Sequence, residues 1–265
     1  MLDREKLLKA LPWISTPLLL VAVIGGWKLI TVVFGISRFV LPPPEAVAGA
    51  LAELAGRPEI WLVHARITLT EAVTGFAIAL VSGVVVGAVL GRILWLERAV
   101  RPLVVALQVI PKVSLIPLFV IWFGFGMTSK IVISAILAFF PIMLNVMLGV
   151  RSVDPGHRDV MRSLDAGRWQ TFKSLEFHST MPYVFAGMEV GIVFAVIGAI
   201  VGEYLGGNEG LGYMVVVSLN SLNAPQLFAI IILLAGLGSI LFFAVNGAKR
   251  LMIPWHDSVI QRDTA

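Results

Sequence analysis

The side chains capable of chemistry in this chain are few, and most lie in one stretch. Between Arg151 and Pro182 the sequence RSVDPGHRDVMRSLDAGRWQTFKSLEFHSTMP mixes arginines, carboxylates and aromatic residues. Such a mixture suits gripping a protein groove or a membrane surface better than making or breaking bonds. Elsewhere ionisable groups stand singly in apolar surroundings, notably Lys112, Glu189 and Glu203. A charge at membrane depth costs a few kcal/mol (about 2–4) unless it snorkels, pairs or faces a polar cavity, so these three are candidates for lining or gating a pathway. For Lys112 the competing reading is a side chain that snorkels to headgroups, and for Glu203 an interfacial residue at the outer end of a span. His64, His157, His178 and His256 show no HExxH or comparable ligand spacing, and the chain has neither a GxSxG elbow nor a GxxxxGK[ST] phosphate loop. Catalysis, metal binding and nucleotide hydrolysis are therefore not expected of this chain.

Composition explains why polar chemistry is so sparse. Of 265 residues 58% are hydrophobic and 14% charged, and the mean hydropathy is +0.93, which places the chain among integral membrane proteins. Cysteine is absent, which excludes disulfides and thiolate sites. A pI near 9.6 would suggest nucleic acid for a soluble protein. Here the basic residues gather at helix ends, so they report orientation, and no nucleic-acid partner is expected.

A helix needs about 20 apolar residues to cross the hydrocarbon core. Six segments satisfy this, near Ile14–Phe34, Ile67–Leu90, Leu103–Phe123, Ile131–Val150, Tyr183–Leu205 and Leu227–Ala248. Lipid offers no water to backbone polar groups, so the expected fold is all-α and polytopic, with six transmembrane helices. The basic start and first apolar run have the shape of a signal, but no small-x-small cleavage pattern follows. An uncleaved first span is expected.

With the N-terminus inside, inner segments carry Arg4, Lys6, Lys9, Arg92, Arg98, Arg101, Arg151, Arg158, Arg162, Arg168, Lys173, Lys249, Arg250 and Arg262. Outer segments carry Arg38, Arg57, Arg66 and Lys130. This bias predicts that both termini and the loop at 151–182 are cytoplasmic.

Local patterns add detail. LPPPEAVAGALAEL places Val47, Leu51 and Leu54 at helical spacing behind three prolines, as in a short helix along the outer surface. In the second span Gly75, Ala79, Gly83, Gly87 and Gly91 recur every fourth residue, the pattern of a close helix–helix contact. A sliding contact between gating helices is the competing reading of that stripe. Pro111 and Pro117 predict a kinked third span beside Lys112, and Lys28 is expected to snorkel or pair locally. In the loop, Asp154-Pro155 opens a helix reaching Leu164, Gly167 permits a break, and Arg168–Phe177 forms a second helix with Trp169, Phe172 and Leu175 on one side. Pro182 then opens the fifth span. From the residues alone, membrane surface and partner groove remain equal candidates for the aromatic face.

Several long segments in order carry a family resemblance: LPPPEAVAGAL at 41–51, LTEAVTGFAIALVSGVVVGAVLG at 69–91, IPKVSLIPLFVIWFGFGMTSKI at 110–131, FFPIMLNVMLGVRSVDP at 139–155 and GEYLGGNEGLGYMV at 202–215. The chain resembles the permease subunits of bacterial ABC importers, in the group that handles nitrate, sulfonates, taurine and related small solutes. The resemblance implies one permease domain over residues 1–265, with its core at about 41–250, in the bacterial inner membrane. It implies a loop that docks on a cytoplasmic ATPase dimer, a second permease copy or paralogue, and an extracytoplasmic solute-binding protein. ATP and Mg would be bound by the ATPase and no cofactor by this chain. The family's docking signature has Glu-Ala-Ala, then Gly, then an apolar residue and Leu-Pro. At those positions stand Asp159, Val160, Met161, Asp165, Leu175, Phe177 and His178, so the signature's Gly and Pro are replaced. Trp169 and Phe172 are the expected anchors, with Asp165 and Arg168 as rim contacts and Asp159 and Leu175 in the docking loop. An ion-coupled carrier or channel and a non-transporting scaffold are the alternative classes.

Overall fold

A computed structural model describes residues 2–256, and for residues 2–14 and 16 the backbone alone. Most of the described residues are helical, and none lies in a strand. Helix α1 spans Leu2–Val33, α2 Pro44–Ala55, α3 Arg66–Arg92, α4 Leu94–Val109 and α5 Ile116–Phe123. After these come α6 (Met127–Arg151), α7 (Pro155–Ser163), α8 (Arg168–Thr171), α9 (Phe177–Gly206), α10 (Leu211–Asn220) and α11 (Ala224–Met252).

Among the described residues four continuous helices are long and apolar enough to cross a bilayer: Ile60–Arg92, Met127–Arg151, Arg168–Gly206 and Ala224–Met252. A fifth crossing is available if α4 and the helix Lys112–Phe123 act together, although the two meet at 80°. The apolar described part of α1, Pro17–Val33, falls just short of that length.

The proline break expected in the third span is present: Ile110 takes an extended ψ of 126° before Pro111, as the ring of a following proline demands. Pro117 then sits in the first turn of α5, where its missing N–H costs nothing. One expectation is corrected here, that of the fifth span, which does not open at Pro182. One unbroken helix of 39 residues runs from Arg168 to Gly206 and contains that proline, and the widened turn Phe172–Glu176 joins its loop part to its apolar part.

The core is built on α6, which packs between α3 and α9. A Cβ on Gly83 would lie 2.9 Å from the Ile142 side chain, one on Gly87 2.5 Å from the Met143 carbonyl oxygen, and one on Gly91 2.8 Å from Val150. The stripe is therefore a seam of close backbone approach, which small residues make possible. On the opposite side of α6, Gly187 and Gly191 meet Ile142, Gly198 meets Ser134 and Gly202 meets Lys130. Residue order along these seams shows that α3 and α6 run parallel and α9 antiparallel. Phe76, Ala79, Ala138, Ile142, Val146, Ile192 and Ala195 fill the space between them.

At the far end of this bundle, α2 buries Val47 and Leu54 against Leu211, Ala229 and Ile230. Lys28 pairs with Glu45 at 3.4 Å, which ties the end of α1 to the same region. The bundle thus has an α10 end and, opposite it, a loop end carrying α7 and α8. Gly87→Ala is expected to lower stability by about 1–3 kcal/mol, the cost of overpacking a tight contact. Gly49, in α2, has open space around it, so Gly49→Ala should raise stability by about 0.5–1 kcal/mol. Thermal unfolding of the two detergent-purified variants checks both signs.

Candidate functional site

Polar chemistry collects at the two ends. At the α10 end, Glu203 is fully buried, which corrects its reading as an interfacial residue. Thr68 Oγ1 donates to Glu203 Oε1 at 2.6 Å, and the Gly212 backbone N–H donates to Oε2 at 2.6 Å. The Leu211 N–H donates to Thr68 Oγ1 at 2.9 Å, and the Gly210 N–H donates to His64 Nδ1 at 3.1 Å. The first turn of α10 leaves N–H groups without intrahelical partners and carries partial positive charge. Glu203 on α9, and Thr68 and His64 one turn apart on the helix Ile60–Arg92, supply those acceptors. Gly210 adopts φ +105°, and any Cβ there would run into the Glu203 carboxylate. The sequence Gly210-Leu211-Gly212 is thereby required by the cap itself.

Beside this cap lies a second buried group. Glu71 in α3 is fully buried and Lys130, at the start of α6, is 4% exposed. Their charged atoms, Oε1 and Nζ, are 3.5 Å apart. Lys130 was grouped with the outer-segment charges, yet its stem packs on Gly202 and its charge is inside the protein. Sequence reasoning missed this pair. The available signal was an acid and a base each embedded in an apolar run, which burial forces to find one another.

Among the pathway candidates, Glu189 is neutralised within the chain, accepting from Lys249 Nζ at 3.0 Å. Lys112 stands at the break between α4 and α5. Its Nζ lies 5.0 Å from the centre of the Phe140 ring and donates to the Gln108 carbonyl at 3.3 Å. It borders a cavity of about 510 Å³ with Ser82, Phe119, Phe139 and Phe140. These three charged residues are therefore far apart in role: Glu203 caps, Glu189 pairs, and Lys112 alone lines a cavity.

At the loop end, Asp154 caps α7 by accepting from the Gly156 N–H at 2.6 Å. Asp159 pairs with Arg162 at 3.2 Å on the exposed side of that helix. The turn to α8 is made by Asp165 at φ +51°, not by Gly167, whose N–H is instead met by Gln170 Oε1 at 3.0 Å. An L side chain in the left-handed region is strained by about 1–2 kcal/mol, least for Asn and Asp. Asp165 thus occupies a conformation suited to glycine. Trp169 is 72% exposed, and its ring lies 5.5 Å from that of Phe172. Arg92 covers Phe172 at 5.2 Å and pairs with Glu176 at 2.7 Å. Leu175 is half-buried and Arg168 exposed. Trp169, Phe172, Arg168 and Arg92 line one shallow cleft together.

Residues 79–254 match the family described as binding-protein-dependent transport system inner membrane component. The chain belongs to this family. It is 33% identical to the formylaminopyrimidine transport permease protein ThiX of Halalkalibacterium halodurans, over 86% of this chain and 90% of the relative. Identity to the riboflavin transport system permease protein RibX of Chloroflexus aurantiacus is 31%, over 93% and 92%. The putative aliphatic sulfonates transport permease protein SsuC of Bacillus subtilis is 29% identical over 93% and 89%. The protein is a permease subunit of an ABC importer, a multi-pass protein of the inner membrane, and further relatives include sulfonate, taurine and nitrate permeases. The family consists of non-catalytic transport subunits, with the ATPase on a separate chain.

For this permease the buried pair sets a clear stability test. Lys130→Met strands Glu71 and should cost about 3–5 kcal/mol, whereas adding Glu71→Gln to it should recover most of the loss. Removing the exposed Arg57–Glu53 pair should cost no more than about 1 kcal/mol. Thermal unfolding in lipid nanodiscs ranks the three.

Proposed function

We propose that the chain crosses the inner membrane six times with both termini in the cytoplasm, as one permease domain over residues 1–265 with its core at about 41–250. The parallel run of α3 and α6 supports this, because the chain must return between them through the broken pair α4–α5. The contact of Lys28 with Glu45 supports an additional outward leg made by α1. Two copies, or this chain and a paralogue, enclose the solute pathway. Exposed apolar faces on α4 and α5, including Val105, Val109, Ile121 and Trp122, supply surface for lipid or a second copy. Lys112 is the pathway candidate that remains once Glu189 and Glu203 have partners.

The observation that carries the coupling role is the exposed Trp169 ring backed by Phe172 at the basic end of the bundle. A cytoplasmic ATPase dimer, holding ATP and Mg itself, takes these aromatics in a groove, with Arg168 and Asp165 at its rim and Asp159 and Leu175 beside it. Closure of the ATPases on ATP moves the loop and opens the pathway outward to a solute-binding protein. The solute is small, of the sulfonate, taurine, nitrate or pyrimidine type, and the binding protein selects it. In the double variant Trp169→Ala/Phe172→Ala, membrane insertion should persist while copurification of the ATPase and ATP-driven uptake fall at least about tenfold, as expected for two aromatic anchors. Unchanged uptake and ATPase binding would remove the proposed anchors.

A further inference from the structure

Behind the aromatic cleft lies a larger one of about 720 Å³, closed by the ends of α3 and α6 on one side and by α7 and α8 on the other. Five arginines line it, Arg92, Arg151, Arg158, Arg162 and Arg168, and the Arg151 guanidinium also donates to the Leu90 and Gly91 carbonyls at the end of α3. Glu176 takes Arg92 and Arg158 at 2.7 and 3.7 Å, Glu97 takes Arg151 at 3.5 Å, and Asp159 takes Arg162 at 3.2 Å. Three carboxylates thus face five arginines, and two positive charges are left uncompensated. The Nε of Arg158 is buried and has no acceptor, and Arg168 forms no ion pair among the described residues. A cavity with surplus guanidinium and an unmet buried N–H is complementary to a phosphate group, which guanidinium binds in forked geometry.

Position narrows the source of that phosphate. Arg92 and Arg151 stand in the last turns of two long apolar helices, so the cleft begins at the depth where a membrane helix leaves hydrocarbon. Trp95, 72% exposed just beyond Arg92, and Tyr183, which packs on Gly149 near the end of α6, are aromatic residues of the kind that sit at headgroup level. Leu94 and Val150 give the wall an apolar side. Basic pockets between helices on the cytoplasmic side are suited to anionic headgroups.

We propose that this arginine cleft binds the phosphate of an anionic phospholipid of the cytoplasmic leaflet, which fills the space between the docking loop and the ends of α3 and α6. The proposal rests on the loop being cytoplasmic, as put forward above. Cysteine labelling from each side of the membrane at Ser163→Cys tests that orientation independently of lipid.

The lipid test uses the permease copurified with its ATPase, reconstituted in nanodiscs of phosphatidylcholine with phosphatidylglycerol, then released for native mass spectrometry. Retention of one phosphatidylglycerol per permease is expected, with none of phosphatidylcholine. Arg158→Gln should weaken that retention about fivefold, since each basic residue near the surface contributes separately. Arg38→Gln, at the opposite end, should retain it in full, and Arg158→Lys should retain an intermediate amount, which separates loss of the forked donor from failure to fold. Equal retention by the glutamine variant would overturn the proposal. So would displacement of the lipid by millimolar inorganic phosphate in detergent, which identifies free anion as the ligand. Retention seen only after the ATPase is stripped away would overturn it too, because the ATPase would then be the occupant.

Discussion

The structure depends on how closely α6 approaches both of its neighbours. A membrane helix gains little from hydrophobicity when it leaves lipid for another helix, so association rests on van der Waals contact and on polar groups that find partners. Glycines in α3 and α9 remove the bulk that would hold the backbones apart, and Ile142 occupies both seams at once, touching Gly83 on one side and Gly187 and Gly191 on the other. With three helices fixed in that register, the ends of the bundle are determined as well. The Glu71–Lys130 pair forms because α3 and α6 are parallel and begin at the same end. Arg92 and Arg151 converge because the same two helices also finish together.

The two ends manage charge differently. At the α10 end carboxylates and a lysine are excluded from solvent, and each is tolerable only through a specific partner. Their arrangement locks α10 to the ends of α3 and α9. At the loop end the charges are partly exposed and unequal in number, an arrangement that costs little to leave open and is ready for a partner. Polar burial at one end thus contrasts with surplus exposed charge at the other.

Much of this was legible in the sequence where the signal is local. Apolar length located each long helix, the spacing of Gly83, Gly87 and Gly91 marked the seam, and the prolines before Glu45 marked the start of α2. What stayed hidden depends on pairing across the chain or on competition between local rules. Glu71 and Lys130 carry no mark of each other, and Lys130 was seen only as an outer-segment charge. Glu203 lies beside a glycine-rich segment that looks like an interface, yet those glycines are there to let backbone N–H groups reach its carboxylate. Pro182 looks like the start of a helix, but proline is tolerated inside long membrane helices, and here the helix passes through it.

That continuity links the two ends. The helix from Arg168 to Gly206 begins with Trp169 and Phe172 and ends just after Glu203. At a rise of about 1.5 Å per residue, this one helix reaches across the bundle, through the widened turn Phe172–Glu176 and Pro182, so Trp169 and the α10 cap sit on the same element. At its far end the Glu203 carboxylate accepts two hydrogen bonds of 2.6 Å, from Thr68 and from the Gly212 N–H, and short bonds to a carboxylate are strong ones, so the cap holds this helix, α3 and α10 together. At the start of this helix Asp165 holds the left-handed turn that follows α7, a conformation suited to glycine, and further along the His178 ring lies 5.3 Å from that of Trp255, tilted by 44°.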